Sequence, residues 1–307
     1  MKNNTYKHIP LIISDYIDDT SLLNKCDGLI INSKVFSTFN GNTFASYELF
    51  AIIKRIKEHH KKVFINVNRI IPEDEIDKFK KCILDIIDSV DYLIYSDISI
   101  LNILDKKYYD KLIYDSKTLI CNKEELNVIP TNAFISQVLS ASEIKEFASS
   151  EKKYALDCFG YLEMMYSRRP LLSLVMPRGK TKTNTLYTLK EETRKETYKI
   201  FETKRQKNNY GTFIYYDSVY VLFKELKEIS DNISFIRLNS MFLTNIIDKI
   251  ITIYRRYLQD IESDSLDNYK EEFYYAKINS ILENNHLSLT RGFLDQESVL
   301  LKEDRDE

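Results

Sequence analysis

Two adjacent arginines, Arg168 and Arg169, follow Tyr166 and Ser167 and precede Pro170. A guanidinium is charged at any physiological pH, and its planar fork of donors matches a carboxylate or a phosphate. With Arg178, Lys180 and Lys182 the pair forms a basic run interleaved with polar side chains. Such a run suits contact with nucleic-acid phosphates, or a two-arginine clamp on a dicarboxylate. It equally fits a solvated loop, and the arginine pair fits a surface ion pair or a helix cap; the sequence leaves these readings open. Arg194 is a further candidate anion ligand, although Glu191 stands three residues before it, the spacing of an ion pair on one helix turn.

Nucleophilic chemistry has two weak candidates. Cys158, with His286 or His8 as base, is one, but a lone cysteine in an apolar strand is ordinarily core packing. Ser167 has no neighbouring base in sequence. Neither an H-E-x-x-H zinc motif nor a G-x-S-x-G nucleophile elbow occurs. The four cysteines, Cys26, Cys82, Cys121 and Cys158, lie far apart, which predicts buried free thiols rather than disulfides or metal ligands. The four histidines include His59-His60, read as a solvated helix end. No metal site is expected.

These residues need a scaffold. Short apolar runs at Ile9 to Ser14, Gly28 to Asn32, Val63 to Asn68, Tyr92 to Tyr95, Lys111 to Tyr114, Asn132 to Ser136 and Tyr154 to Cys158 read as strands. Between them lie helical patterns. Leu49, Ile52, Ile53 and Ile56 share one face of a helix over Tyr47 to His59. A second helix opens at Pro72-Glu73, and Ser140 with Glu143 forms a capping box for a third. Alternating strands and helices with near-continuous apolar strands predict a parallel sheet covered on both faces. No G-x-G-x-x-G follows the first strand, so the α/β class resolves to a parallel (β/α) barrel, TIM-like and abridged around Tyr114 to Ala133. The expected division is 1–184 for the main barrel and 185–217 for an antiparallel hairpin insertion. Residues 218–299 then carry a helix over Val219 to Glu228, the last barrel strand at Phe235 to Leu238, a helix from about Phe242 to Gln259 and a closing segment. Residues 300–307 form a charged tail.

Glycine is scarce, six residues in all, so its placement is informative. Gly160, Gly211 and Gly292 sit in the three phrases with most character. The first runs from Leu156 through Asp157-Cys158-Phe159-Gly160 and Tyr166-Ser167-Arg168-Arg169 to Ser173. The second is Lys190-Glu191-Glu192-Thr193-Arg194 before the strand at Tyr198 to Glu202. The third is Thr290-Arg291-Gly292-Phe293-Leu294. In this order they resemble the signature of the collagenase-like peptidase family U32, and the likeness covers most of the chain.

That resemblance implies a barrel and two activities, peptide hydrolysis or a part in RNA modification, namely hydroxylation of a transfer RNA uridine with prephenate as a metabolite. It also implies partners: transfer RNA, and a second family member in a homo- or hetero-oligomer in which a short chain serves as a non-catalytic subunit. Several relatives hold an iron–sulfur cluster on cysteines within and after this signature, but Met164 to Lys190 contains none. A cluster needs about four thiolates, so none is expected here, nor is any other cofactor read from the residues. RNA modification is the preferred expectation.

Composition bounds the rest. Hydrophobic residues make up 44% and charged residues 29%, with a formal net charge of −2. This is ordinary for a globular protein and does not supply a broad basic surface for nucleic acid. No run approaches the roughly 18 apolar residues of a membrane span, and the basic start Met1 to Lys7 has no apolar stretch behind it. A cytoplasmic protein is expected.

Overall fold

The structure, a computed structural model, describes residues 8–17, 20–38, 43–175, 182, 185–190, 196–205 and 209–296. Thirteen strands among them form one sheet system. Eight close on themselves. They are β1 (Leu11–Asp15), β2 (Gly28–Ser33), β4 (Lys62–Val67), β5 (Tyr92–Tyr95), β6 (Leu112–Tyr114), β7 (Asn132–Ala133), β8 (Tyr154–Ser167) and β12 (Ile233–Leu238). Parallel pairing runs from β1 through β2, β4, β5 and β6 to β7. It resumes from β8 through β12 back to β1. The bridge between Phe134, just past β7, and Ala155 of β8 shuts the cylinder.

Each barrel strand sends one side chain into the lumen at the same level. Ile13, Ile30, Phe64, Ile94, Ile113, Phe134, Ala155 and Phe235 form a dry plug, with Tyr92 packed on it. Phe64, Tyr92 and Phe235 meet one another at centroid separations of 4.9, 5.2 and 5.1 Å, in the stacked and edge-on arrangements aromatic rings favour. Alternation by two then dictates the next layer up. Counting two residues on from the plug gives Asp15, Asn32, Asn66, Ser96, Asp115, Ser136, Asp157 and Arg237. The strands are therefore apolar in the middle and polar at their C-terminal ends, where barrel ligands collect.

The outer faces of the strands pack against helices in a separate, larger core. The helix Ser46–Glu58 buries Leu49, Ile52, Ile53 and Ile56, the stripe its periodicity predicts. Glu73–Glu75 forms a 3₁₀ turn ahead of the helix Ile76–Leu84. Ser140 caps Ala141–Glu146 with the reciprocal Glu143 bond. All eight strands of the cylinder are present; what is shortened near Tyr114 to Ala133 is the helical cover, reduced to Lys123–Val128.

Beyond the cylinder the chain builds an antiparallel extension larger than a hairpin. β8 continues to Ser167 and pairs with β11 (Asn209–Val221). β11 pairs with β10 (Thr197–Arg205), and β10 with the edge strand β9 (Thr185–Lys190). Two short strands complete the set: β3 (Thr43–Phe44) beside β2 and β13 (Leu289–Thr290) beside β11.

Two expected helices begin elsewhere. Val219 to Val221 belong to β11, opposite Tyr161 to Phe159, because the β-branched and aromatic run finds a strand to pair with; the helix there is only Leu226–Ile229. Phe242 has a φ of 61°, which no helical residue holds, so the next helix starts at Ile247 and runs to Glu262. A further helix, Asn268–Glu283, starts on an Asp267 cap and packs against it.

Candidate active site at the barrel mouth

The polar layer divides into two hydrogen-bonded arcs. In the first, Asn66 Nδ2 donates to Asn32 Oδ1 at 2.7 Å, and Asn32 Nδ2 reaches Asp15 Oδ1 at 3.4 Å. Asp15 Oδ2 accepts from the Ser240 backbone N–H at 2.9 Å. This arc orients amides and ties the end of β1 to the loop after β12.

The second arc holds the charge. Arg237, on β12, is buried between Asp115 and Asp157. Its Nη1 donates to Asp115 Oδ2 at 2.7 Å and its Nη2 to Asp157 Oδ2 at 2.7 Å; Nε donates to Asp157 Oδ1. The guanidinium lies over the Phe134 ring, 4.1 Å from its centroid, so the apolar plug is its floor. Lys117 Nζ sits 3.0 Å from Asp115 Oδ2 and 3.7 Å from Asp157 Oδ2. Gln137 Nε2 donates to Asp157 Oδ2 at 2.5 Å. Two cations thus balance two carboxylates in one buried cluster.

Burial by itself raises a carboxyl pKa. For Asp115 and Asp157 it is outweighed, first by Arg237 and then by Lys117, and both stay below the usual carboxylate range. Both are therefore ionised at neutral pH. They do not form a pair sharing one proton, as two carboxyls without a cation between them do. Lys117 reaches the cluster from a strained backbone, with a φ of 68°. Its carbonyl accepts from the Gln137 N–H at 2.9 Å. Left-handed conformations of non-glycine residues concentrate at functional sites.

Above the cluster opens a cavity of about 300 Å³. Asp115, Lys117, Thr38, Asn68, Tyr114 and Glu163 supply its polar wall, and Ile70, Leu119, Met164 and Met165 its apolar wall. Glu163, on the stretch of β8 that leaves the barrel, is half-buried. Burial pushes its carboxyl up to about 7; Lys117 opposes this, while Asp115 adds to it. A carboxyl titrating near neutrality exchanges a proton readily at physiological pH, as a general acid or base must.

The model of peptidase family U32 matches residues 22–301. This chain belongs to peptidase family U32. No curated protein matches it. Among solved structures it is similar to the U32 peptidase Mk0906, with a TM-score of 0.46 at 10% identity, covering 75% of this chain and 93% of that one. It is also similar to a thiamine phosphate pyrophosphorylase from Pyrococcus furiosus, with a TM-score of 0.42 at 9% identity, covering 83% and 98%.

The residues singled out in this U32 sequence fall into three groups. Asp157 and Tyr166 meet the mouth, Asp157 in the charged cluster and Tyr166 in the cavity wall, its ring stacked on Phe213 at 4.7 Å. The glycines and Phe159 build the junction between barrel and extension. Gly160, with a φ of 129°, is where β8 leaves the cylinder, and a Cβ there would lie 2.8 Å from Asn239 Cβ. Gly292 has a φ of 59°, and a Cβ there would lie only 2.9 Å from Leu162 Cδ1 and 3.0 Å from the Tyr220 ring, so glycine lets the closing segment pack closely. Gly211 faces Tyr166 across the extension, and Phe159 is buried in the outer core.

The third group lies away from the cavity. Arg168 and Arg169 are exposed beyond the end of β8 and are not among the cavity residues. Ser167 Oγ accepts from the Arg169 N–H at 3.2 Å. Cys158 is fully buried in the outer core, and burial drives its thiol well above the ordinary value. Ser173 lies on the short helix Leu171–Val175. Arg178, Lys180, Glu191, Arg194 and the tail fall outside the described residues, and Lys182 is exposed.

Sequence reasoning passed over Arg237, Asp115, Lys117, Gln137 and Glu163. A signal existed: Arg237 is a lone charge within Ile233–Leu238, and Asp115 directly follows Leu112–Tyr114. A charge at the C-terminal end of a barrel strand marks the mouth. Among the described residues no group of three His, Cys, Asp or Glu side chains is placed to hold a metal ion, and no helix is long and apolar enough to cross a membrane.

Proposed function

We propose that this U32 chain acts in RNA modification, as a factor in hydroxylation of a transfer RNA uridine, rather than as a peptidase. The observation that carries the reading is the make-up of the cavity wall: the Asn68 amide, Lys117, Asp115, two tyrosines, hydroxyl side chains and a glutamic acid that titrates near neutrality. The two weak nucleophile candidates both lie outside it. Cys158 faces the helices with its thiolate suppressed, and the thiolate is the reactive form. Ser167 is past the cavity rim. A half-open cavity of this size and chemistry suits a single base turned out of an RNA strand, and base recognition draws on amide, carboxylate and aromatic groups of these kinds. On this reading the exposed Arg168, Arg169 and Lys182 would touch the RNA backbone outside. A dicarboxylate such as prephenate would find its positive charge at that same outer pair.

Nucleoside mass spectrometry of transfer RNA from a strain lacking the gene tests the proposal. Loss of a hydroxylated uridine, restored by the wild-type chain, is the expected result; an unchanged profile overturns it. Casein or gelatin cleavage by the purified protein, lost in Ser167→Ala or Cys158→Ala, would establish the peptidase reading instead. The absence of cysteine between Met164 and Lys190 favours a second role within the first, as the substrate-holding partner of another family member; co-purification of the two tests it.

A further inference from the structure

Three features of the mouth single out one side chain. The first is a break in β8. Along the extension, Tyr166 lies opposite Phe213, Met165 opposite Ile214 and Glu163 opposite Tyr215. Met164 has no residue of its own on β11, so β8 carries a one-residue bulge there. A regular strand turns successive side chains to opposite faces, whereas a bulge re-aims them and recurs beside active sites. Here Glu163, Met164, Met165 and Tyr166, four residues in a row, all line the same cavity.

The second feature is what surrounds Glu163. It is half-buried in the cavity wall, so the residue is reachable from the cavity, unlike the sealed Asp115 and Asp157. Burial is the largest influence on its carboxyl and opposes ionisation. Lys117 favours the charged form, Asp115 opposes it, and Arg237 and Asp157 act in the same two directions. Asp115 and Asp157 are held ionised. Tyr114 and Tyr166 are the phenols of the wall, and burial raises Tyr114. Histidine is the usual side chain for proton exchange near neutrality, but none lines the cavity among the described residues.

The third feature is the rim. Ile70 follows β4, Leu119 follows β6, and Met164 and Met165 come from β8; all four are exposed, and all four line this cavity. Scattered exposed apolar residues need no explanation, but a cluster of them beside convergent polar groups marks a binding site. Such a rim receives the apolar body of a small molecule and leaves its polar end to the wall.

We infer that Glu163 is the proton-exchanging carboxyl of the cavity, set by the bulge at Met164 to pass a proton to and from a neutral, apolar-bodied ligand seated against Ile70, Leu119, Met164 and Met165. The step is a proton transfer alone. The carboxyl O–H bond breaks as its proton moves to an oxygen or nitrogen of the ligand, and the carboxylate left behind takes one back. The inference rests on the reading of the mouth as the site that receives a base, and adds which side chain moves the proton there.

Labelling of the full chain with N,N′-diisopropylcarbodiimide tests this. The probe is neutral and apolar, and its nitrogen takes the carboxyl proton as the carboxylate oxygen bonds its central carbon; the adduct rearranges to a stable N-acylurea, read by peptide mass spectrometry. At pH 7 a carboxyl raised to about 7 is half protonated, against about 1 in 300 for one at 4.5. Glu163 is therefore expected to label on the order of 100-fold faster than exposed glutamates such as Glu58 and Glu124. Its rate should fall to half near pH 7 and vanish in alkali. Leu119→Ser and Met165→Ser, both at exposed positions, should slow the labelling roughly fivefold without moving that midpoint. No label on Glu163, a midpoint in the ordinary carboxylate range, or indifference to both rim substitutions would each overturn the inference. Unmodified transfer RNA is expected to protect Glu163 from the probe. Rim-dependent labelling with a neutral midpoint but no such protection would instead sink the RNA reading and leave the role of Glu163 standing.

Discussion

Replacing Arg237 by leucine tests the charged cluster directly. The substitution removes three donated hydrogen bonds and leaves Asp115 and Asp157 buried with their principal counter-charge gone. Breaking a buried ion pair from one side costs about 3–5 kcal/mol. Lys117 stays near both carboxylates, at 3.0 and 3.7 Å, so the lower end applies, about 3 kcal/mol. For a chain of this size that is a fall in Tm of roughly 6 °C. The pH dependence carries a sign. In the wild-type protein both carboxyls are held below the ordinary range, so their contribution is complete above about pH 4, near the unfolded carboxyl pKa, and disappears as pH falls through the lower folded values. In Arg237→Leu, burial dominates and the folded pKa values rise above the unfolded ones. The variant's deficit is then largest at pH 7 and shrinks toward pH 4. Urea denaturation at pH 7 and pH 4.5, followed by circular dichroism, reads both numbers. A variant within about 1 kcal/mol of wild type at pH 7, or one whose deficit grows in acid, would refute the cluster as described.

Other expectations concern separate parts of the molecule. Gly160→Ala forces a left-handed φ of 129° on alanine and a Cβ at 2.8 Å from Asn239 Cβ; chemical denaturation should show a loss of about 2 kcal/mol or more, and wild-type stability would remove the junction role. Glu163, its carboxyl raised to about 7 from 4.5, contributes stability that is complete below the unfolded value and lost as pH rises through the folded one. Glu163→Gln should therefore gain in Tm relative to wild type at pH 8 but not at pH 4, and should remove any inflection near pH 7 from nucleoside binding. Thiol titration of the native protein should reach the partly exposed Cys82 and Cys121 before Cys26 and Cys158, which are buried; prompt labelling of Cys158 would restore it as a candidate nucleophile.

The sequence revealed the scaffold better than the site. The Leu49 to Ile56 stripe and the Ser140–Glu143 box are local patterns, fixed by helix periodicity and capping geometry, and both stand where expected. A parallel cylinder was legible as alternation, but not its full eight strands, since an abridged barrel was expected, and its closure rests on a bridge between Phe134 and Ala155 that no local pattern encodes. The helix expected from Val219 failed for the same reason: a strand partner, Phe159 to Tyr161, overrode it. The arginine pair drew the eye because two charges adjoin in sequence. The cluster at the mouth is assembled from Asp115, Asp157 and Arg237, each a single polar residue at the end of a different strand. Their proximity is a product of the barrel, and only the two-residue alternation beyond the apolar plug points to them.

One measurement bears most directly on the claim that this mouth, and not a nucleophile elsewhere, carries the function. It is hydroxylated-uridine content of transfer RNA in a deletion strain complemented with Asp115→Asn, Glu163→Gln or Cys158→Ala, each matched for soluble expression. Restoration by Cys158→Ala alone is the predicted outcome. Restoration by both mouth variants, with failure of Cys158→Ala, would contradict it.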